Sequence, residues 1–385
     1  MKTNLKKLLY SGVTLMSLGV LAACSSTSSS TTTSSSAATS QTSVATTSNN
    51  STSSDSSSSS IDWSALPTTE VTLSNDGLKI TEGGTYILTG STTAGVTVET
   101  DANVRIILAG AEISSSDTAA INVINADNVE LEIKDGTTNT VKDTSNHTDT
   151  NIEGAIHVEA DLTITGNGSL TVEGNFQDGI VSTDDLVVNS GNITVTAVDD
   201  GIRGKDSLTI NGGTINVTAG GDGIKSTNDT DTTKGYTTIT GGDITVKAGD
   251  DAIKAETALT IDGGTITVPE LVEALEGTNI TINGGTIDVY GSDDAINASS
   301  TTSSDIYIKV TGGDLKVAVG SGDTDAFDAN GDIYISGGTI AVTAPTSAFD
   351  FDGTAELTGG TVTVNGEQIT QIVATGPGAG GHGGW

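Results

Sequence analysis

The chain has 385 residues, with 15 Lys plus Arg against 49 Asp plus Glu and a formal net charge of −34. That charge excludes nucleic acid as a partner, because phosphate backbones are held by Lys and Arg. Only 34% of residues are hydrophobic and 3% aromatic, with 49 Gly and 4 Pro. This is poor for a globular core and suits a repeat whose thin layers are filled by small β-branched residues.

At the N-terminus, Lys2, Lys6 and Lys7 precede a mostly apolar run from Leu8 to Val20, and Leu21-Ala-Ala-Cys24 follows. A secretory signal has this layout, and the run is short for a membrane span. Residues 1–23 are therefore expected to be a signal peptide. The Leu-Ala-Ala-Cys segment resembles the lipobox of bacterial lipoproteins, which implies that Cys24, the sole cysteine, is lipidated. Cleavage removes three lysines and takes the net charge from −34 to −37. The expected location is the extracellular face of the cell membrane, on a Gram-positive surface. Residues 24–60 continue as a Ser/Thr-rich tether that cannot bury enough apolar area to order itself. As a coil it spans about 30–36 Å.

From residue 61 to 375 the sequence reads as one β domain, expected to be monomeric. Residues 61–150 hold strand patterns at irregular spacing, such as Val104-Arg-Ile-Ile-Leu108, and are expected to be capping coils. Regular coils fill 151–375. One pattern recurs there: Asp200-Gly-Ile-Arg203 with Leu208-Thr-Ile-Asn-Gly-Gly-Thr-Ile-Asn-Val217, then Asp222-Gly-Ile-Lys225, Asp251-Ala-Ile-Lys254 and Glu273-Ala-Leu-Glu276, each with its own Gly-Gly turn. Successive copies start 22, 29, 22 and 21 residues apart, counting on to Asp294. A period near 22 with insertions at one place signals a repeat architecture. Apolar residues alternate within short segments, which is the strand period, and nothing repeats at 3.6. Three strands and three turns per repeat predict an all-β, right-handed parallel β-helix with coils of about 22 residues. A Gly-rich tail, 376–385, closes the chain.

Superposing the repeats at about 4.8 Å per coil creates columns. The first holds Asp178, Asp200, Asp222, Asp251, Glu273, Asp294 and Asp325, with Asp199, Asp250 and Asp293 immediately before three of them. Stacked carboxylates repel, and Ca2+ favours several carboxylate and carbonyl oxygens. Asp199, Asp200, Asp222, Asp250, Asp251, Glu273, Asp293, Asp294 and Asp325 are thus candidate calcium ligands. The competing reading makes them solvated turn residues. The next column reads Arg203, Lys225, Lys254, Glu276, Asn297, Asp328 and Asp350. Its three bases either neutralise the acids or donate to anionic groups of a ligand. A third column, from Thr209 to Glu356, faces outward as a hydroxyl-rich surface. His147, His157 and His382 have neither metal spacing nor a nucleophile partner, and no catalytic residue is assigned.

Asp199-Asp-Gly-Ile-Arg-Gly-Lys205, Gly220-Gly-Asp-Gly-Ile-Lys-Ser226, Glu273-Ala-Leu-Glu-Gly277 and Ala348-Phe-Asp-Phe-Asp-Gly353 resemble the bacterial surface carbohydrate-binding β-helix proteins. That family was first described in a cellulolytic clostridium and is structurally akin to pectate lyases. The resemblance covers roughly residues 70–370, with a departure at Pro269-Glu-Leu-Val272. It implies bound calcium, affinity for cellulose and for acidic polysaccharide such as polygalacturonate, and no established catalysis. The alternatives are a calcium-dependent pectate-type lyase, with Arg203 or Lys225 as base, and a mechanical stalk or adhesin.

Overall fold

A computed structural model describes residues 61–375 except 272 and 323, with the backbone alone at 270 and 271. The signal segment, Cys24, the tether and the Gly-rich tail fall outside the described residues. Apart from a short 3-10 turn at Trp63–Ala65, the ordered elements are strands.

The strands stack in three parallel ladders, and each coil contributes one strand to each. In the first, Ile202–Gly204 pairs with Ile224–Ser226, which pairs with Asp251–Ile261 and then Glu273–Ile282. In the second, Ser207–Ile210 pairs with Tyr236–Ile239. In the third, Thr214–Thr218 pairs with Asp243–Lys247. Every coil therefore satisfies its backbone groups on its neighbours, as a parallel β-helix requires. The stretch before residue 150 joins the same ladders from Thr68–Leu73 onward; its irregularity resides in register shifts between Leu88 and Gly90 and between Val98 and Glu99.

The register places Ile202, Ile224, Ile253, Leu275, Ile296, Phe327 and Phe349 in one inward column, each buried. Each such side chain contributes about 1.5–3 kcal/mol by leaving water. At the C-terminal end the column widens to rings, with Phe327 stacked on Phe349 at 5.2 Å. Thr237 stands where other coils have Leu; its hydroxyl bonds the Ser226 hydroxyl and the Lys254 carbonyl, both at 3.1 Å, so its burial is compensated.

Two glycine positions are dictated by geometry. The second Gly of the Gly-Gly turn has positive φ, +99° at Gly213, and a Cβ there would lie 2.8 Å from the Gly191 carbonyl oxygen. The Gly of Asp-Gly-Ile is needed for space: a Cβ on Gly201 would lie 2.3 Å from a Val217 methyl. The exposed last edge is covered by Glu367–Ile369, which folds back antiparallel on Thr361–Val364.

Candidate functional site

The Asp-Gly-Ile pattern puts one carboxylate per coil at the corner where the chain enters the first ladder. Asp178, Asp200, Asp222 and Asp251 are 2%, 6%, 5% and 3% exposed, so these are buried groups and not solvated turn residues. One oxygen of Asp178, Asp200 and Asp222 takes the backbone N–H of the equivalent Asp on the next coil. Asp200, Asp222 and Asp251 donate in this way to Asp178, Asp200 and Asp222 at 3.0, 2.9 and 2.9 Å, and Asp325 donates to Asp294 at 2.8 Å. The carboxylate thus continues the hydrogen-bond ladder around the corner.

The other oxygen meets the base column. Arg203 donates to Asp178 at 2.9 Å and to Glu153, Lys225 bridges Asp200 at 2.7 Å and Asp222 at 2.9 Å, and Lys254 bridges Asp251 at 2.8 Å and Glu276. Burial alone disfavours charge on these bases, yet their acid partners hold all three above their ordinary values. Burial raises two of the carboxyls in turn: Asp178 is pushed up to about 6 despite Arg203, and Asp251 up to about 7 despite Lys254.

Past Lys254 the bases stop. Register carries the column through Glu276, Asn297, Asp328 and Asp350. Asn297 donates to Glu273 at 2.9 Å. Burial, then Asp251 and Asp294, push Glu273 up to about 7; burial, then Asp294, Asp325, Asp350 and Asp352, push Asp328 up to about 7. Two groups of carboxylates approach closely enough to share an ion. Oxygens of Asp222, Asp250 and Asp251 lie within 4.8 Å of one another, as do those of Asp251, Glu273 and Glu276. The exposed Asp250 is raised by burial, Asp251 and Asp222. Asp199 and Asp293 are exposed and Asp294 and Asp325 half-buried; none of the four belongs to either group.

The same base column runs back through Val181 to His157 and Asn122. Spacing did not reveal His157 as a member, because its coil lacks the Asp. It is 2% exposed, and burial first and Arg203 second hold it down to about 4. On the segment between ladders, His147 stacks on Phe176 at 4.4 Å with its Nε2 3.0 Å from an Asp143 carboxylate oxygen, while Glu153 reaches Arg203.

A second feature was legible only as a gap in the repeat. The 29-residue step from Asp222 to Asp251 and the 31-residue step from Asp294 to Asp325 each carry an insertion at the corner after the first ladder. Residues 227–235 and 299–306 form the facing walls of a cleft of about 660 Å³. Its floor is Lys254 to Thr257 and Glu276 to Asn279, where Asp251–Ile261 and Glu273–Ile282 run through the corner as single strands.

A family model described as carbohydrate-binding domain-containing protein matches residues 74–326. The chain belongs to that family. The match takes in the ladder from Asp178 to Asp325 and both walls of the cleft. A carbohydrate-binding domain-containing protein of Acetivibrio thermocellus is 33% identical over 135 residues, 33% of this chain and 47% of that one. The match thus spans about half of the relative's length. Among solved structures, the gadolinium derivative of a polysaccharide lyase-like protein from C. thermocellum is similar, with TM-score 0.50 and 34% identity, covering 52% of this chain and 90% of that chain.

Proposed function

We propose that the chain is a lipid-anchored protein of the extracellular cell surface that holds polysaccharide without cleaving it, through a β-helix that carries calcium on its acidic ladder. The observation that carries the binding reading is the family match over 74–326. The anchor rests on Leu21-Ala-Ala-Cys24, and the Ser/Thr-rich tether would give the domain reach.

For calcium, the donor chemistry fits. Asp222, Asp250 and Asp251 would form one site and Asp251, Glu273 and Glu276 another, both made only of oxygen. Exposed Asp250 gives the first a path to solvent. The C. thermocellum structure is of a gadolinium derivative, and gadolinium, like calcium, is a hard cation suited to oxygen donors. A calcium ion there would give a uronate carboxylate a positive partner on an otherwise acidic surface, which makes polygalacturonate the acidic ligand to try. Arg203, Lys225 and Lys254 act in this reading mainly as neutralisers of the ladder, since each is already bonded to carboxylates. Their raised pKa values also oppose proton abstraction of the lyase kind.

The test is retention of the full chain on immobilised polygalacturonate with calcium and then with chelator. Retention released by chelator is expected. No retention in either condition would remove the acidic ligand, and an unsaturated product absorbing in the ultraviolet would establish a lyase instead.

A further inference from the structure

The cleft between residues 227–235 and 299–306 is built differently from the ladder, and its chemistry points to a different sugar. Its walls rise three coil steps apart, about 14 Å at their roots, and its volume of about 660 Å³ falls in the ~300–1,000 Å³ range of small-molecule sites. The near wall is braced: Asn228 donates to Asp206 at 2.7 Å and takes the N–H groups of Thr230 and Asp231, while Lys234 bonds Asp206 at 2.5 Å. The far wall presents the run Ser299 to Ser303. Hydroxyls and amides dominate the lining, and no aromatic side chain takes part. Such a surface exchanges hydrogen bonds with sugar hydroxyls and makes no stacking contact.

Charge sets the class of sugar. The cleft has four carboxylates, Asp229, Asp231, Glu256 and Glu276, and one base, Lys254. That base is held between Asp251 and Glu276, so its charge is already matched. Asp231 gives one oxygen to Thr233 at 2.7 Å, while the carboxylates of Asp229 and Glu256 accept no hydrogen bond from any described residue. A uronate entering here meets uncompensated negative charge in a partly enclosed space; a hydroxyl or an ammonium meets acceptors.

We propose that this cleft is a calcium-independent site for a saccharide chain that carries no carboxylates, and that amino groups on the chain strengthen its hold. This rests on the carbohydrate-binding reading above and adds to it a place, the exclusion of uronates from that place and a preference for amino sugars. The experiment is calorimetric titration of the full chain, in chelator and moderate salt, with hexamers of β-1,4-linked glucose, glucosamine and galacturonate. The glucose hexamer is expected to bind, the glucosamine hexamer about tenfold tighter, and the galacturonate hexamer not at all. Combining Asp229→Asn with Glu256→Gln should weaken the glucosamine hexamer by about tenfold or more. Glu70→Gln with Asp127→Asn, exposed and outside the cleft, should leave it unchanged. Equal loss in both pairs would show general attraction to an acidic protein and overturn the site. So would tightest binding of the galacturonate hexamer, equal binding of the two carboxylate-free hexamers, or binding of neither. Should the cleft fail while chelator-sensitive retention on polygalacturonate survives the cleft substitutions, the broader reading stands and only this site falls.

Discussion

Two stretches of one ladder, Asp178 to Lys254 and Glu273 to Asp350, share a backbone and differ in electrostatics. In the first, the coils of Asp200, Asp222 and Asp251 each supply a base three residues on, Asp178 (followed by Val181) is met by Arg203 of the next coil, and the two columns interlock. In the second, the corner acid persists as Glu273, Asp294 and Asp325 before giving way to Ser347, and the base gives way to Glu276, Asn297, Asp328 and Asp350. The fold does not need the bases for its register, since inward Ile, Leu and Phe set that. What the bases change is the cost of stacking carboxylates at about 4.8 Å. The matched stretch is mainly a structural device, open to an ion only where exposed Asp250 joins Asp222 and Asp251, and the unmatched one has acids or an amide where the first has bases.

The largest effect that tests this contrast is Lys225→Met. Lys225 holds the buried carboxylates of Asp200 and Asp222 at 2.7 and 2.9 Å. Removing one partner of a buried pair leaves uncompensated charge and costs about 3–5 kcal/mol. Denaturant unfolding at pH 7 should show that loss, whereas a loss below about 1 kcal/mol would mean that the bases merely decorate a hydrated surface.

A smaller effect comes from the front of the base column. His157 is uncharged in the fold, with a pKa near 4, and faces Arg203, Glu153, His147, Asp149 and Glu159. The unfolded chain takes up the proton first, near pH 6.5. Stability from this group is therefore complete above pH 6.5 and falls as pH drops toward 4, by about 2–3 kcal/mol. His157→Leu should lose that part of the pH dependence; an unchanged profile would place the acid sensitivity elsewhere.

Most of the fold was legible because it is periodic. The spacing of Asp200, Asp222 and Asp251 predicts the register found between Ile202, Ile224 and Ile253. The acid column was legible as well, but its primary partner was not. That a carboxylate oxygen would accept the next coil's N–H depends on the corner geometry, which composition does not carry. The cleft was the hardest to see. Its residues lie in the two insertions that break the period, so a method that superposes repeats discards them. His157 was hidden for the related reason that Gly154 stands where later coils have Asp.

The smallest effect has the opposite sign and comes from the unmatched stretch. Burial, and then Asp294, Asp325, Asp350 and Asp352, raise Asp328 to about 7, so the folded state holds this proton more tightly than the unfolded chain does. Its contribution is fully present below about pH 3.8 and is lost as pH rises through 7. After allowance for solvent screening of a half-buried group, the penalty above pH 7 is about 1–2 kcal/mol. Asp328→Asn should gain that much at pH 8 and nothing at pH 4, read from unfolding midpoints at the two values. Between pH 4 and 6.5 the two ends of the ladder therefore pull in opposite directions, His157 toward unfolding and Asp328 toward folding as acid is added. If Asp328→Asn gains nothing at pH 8, the later acids are as well compensated as the earlier ones, and the division of the ladder into a matched stretch and an unmatched stretch collapses.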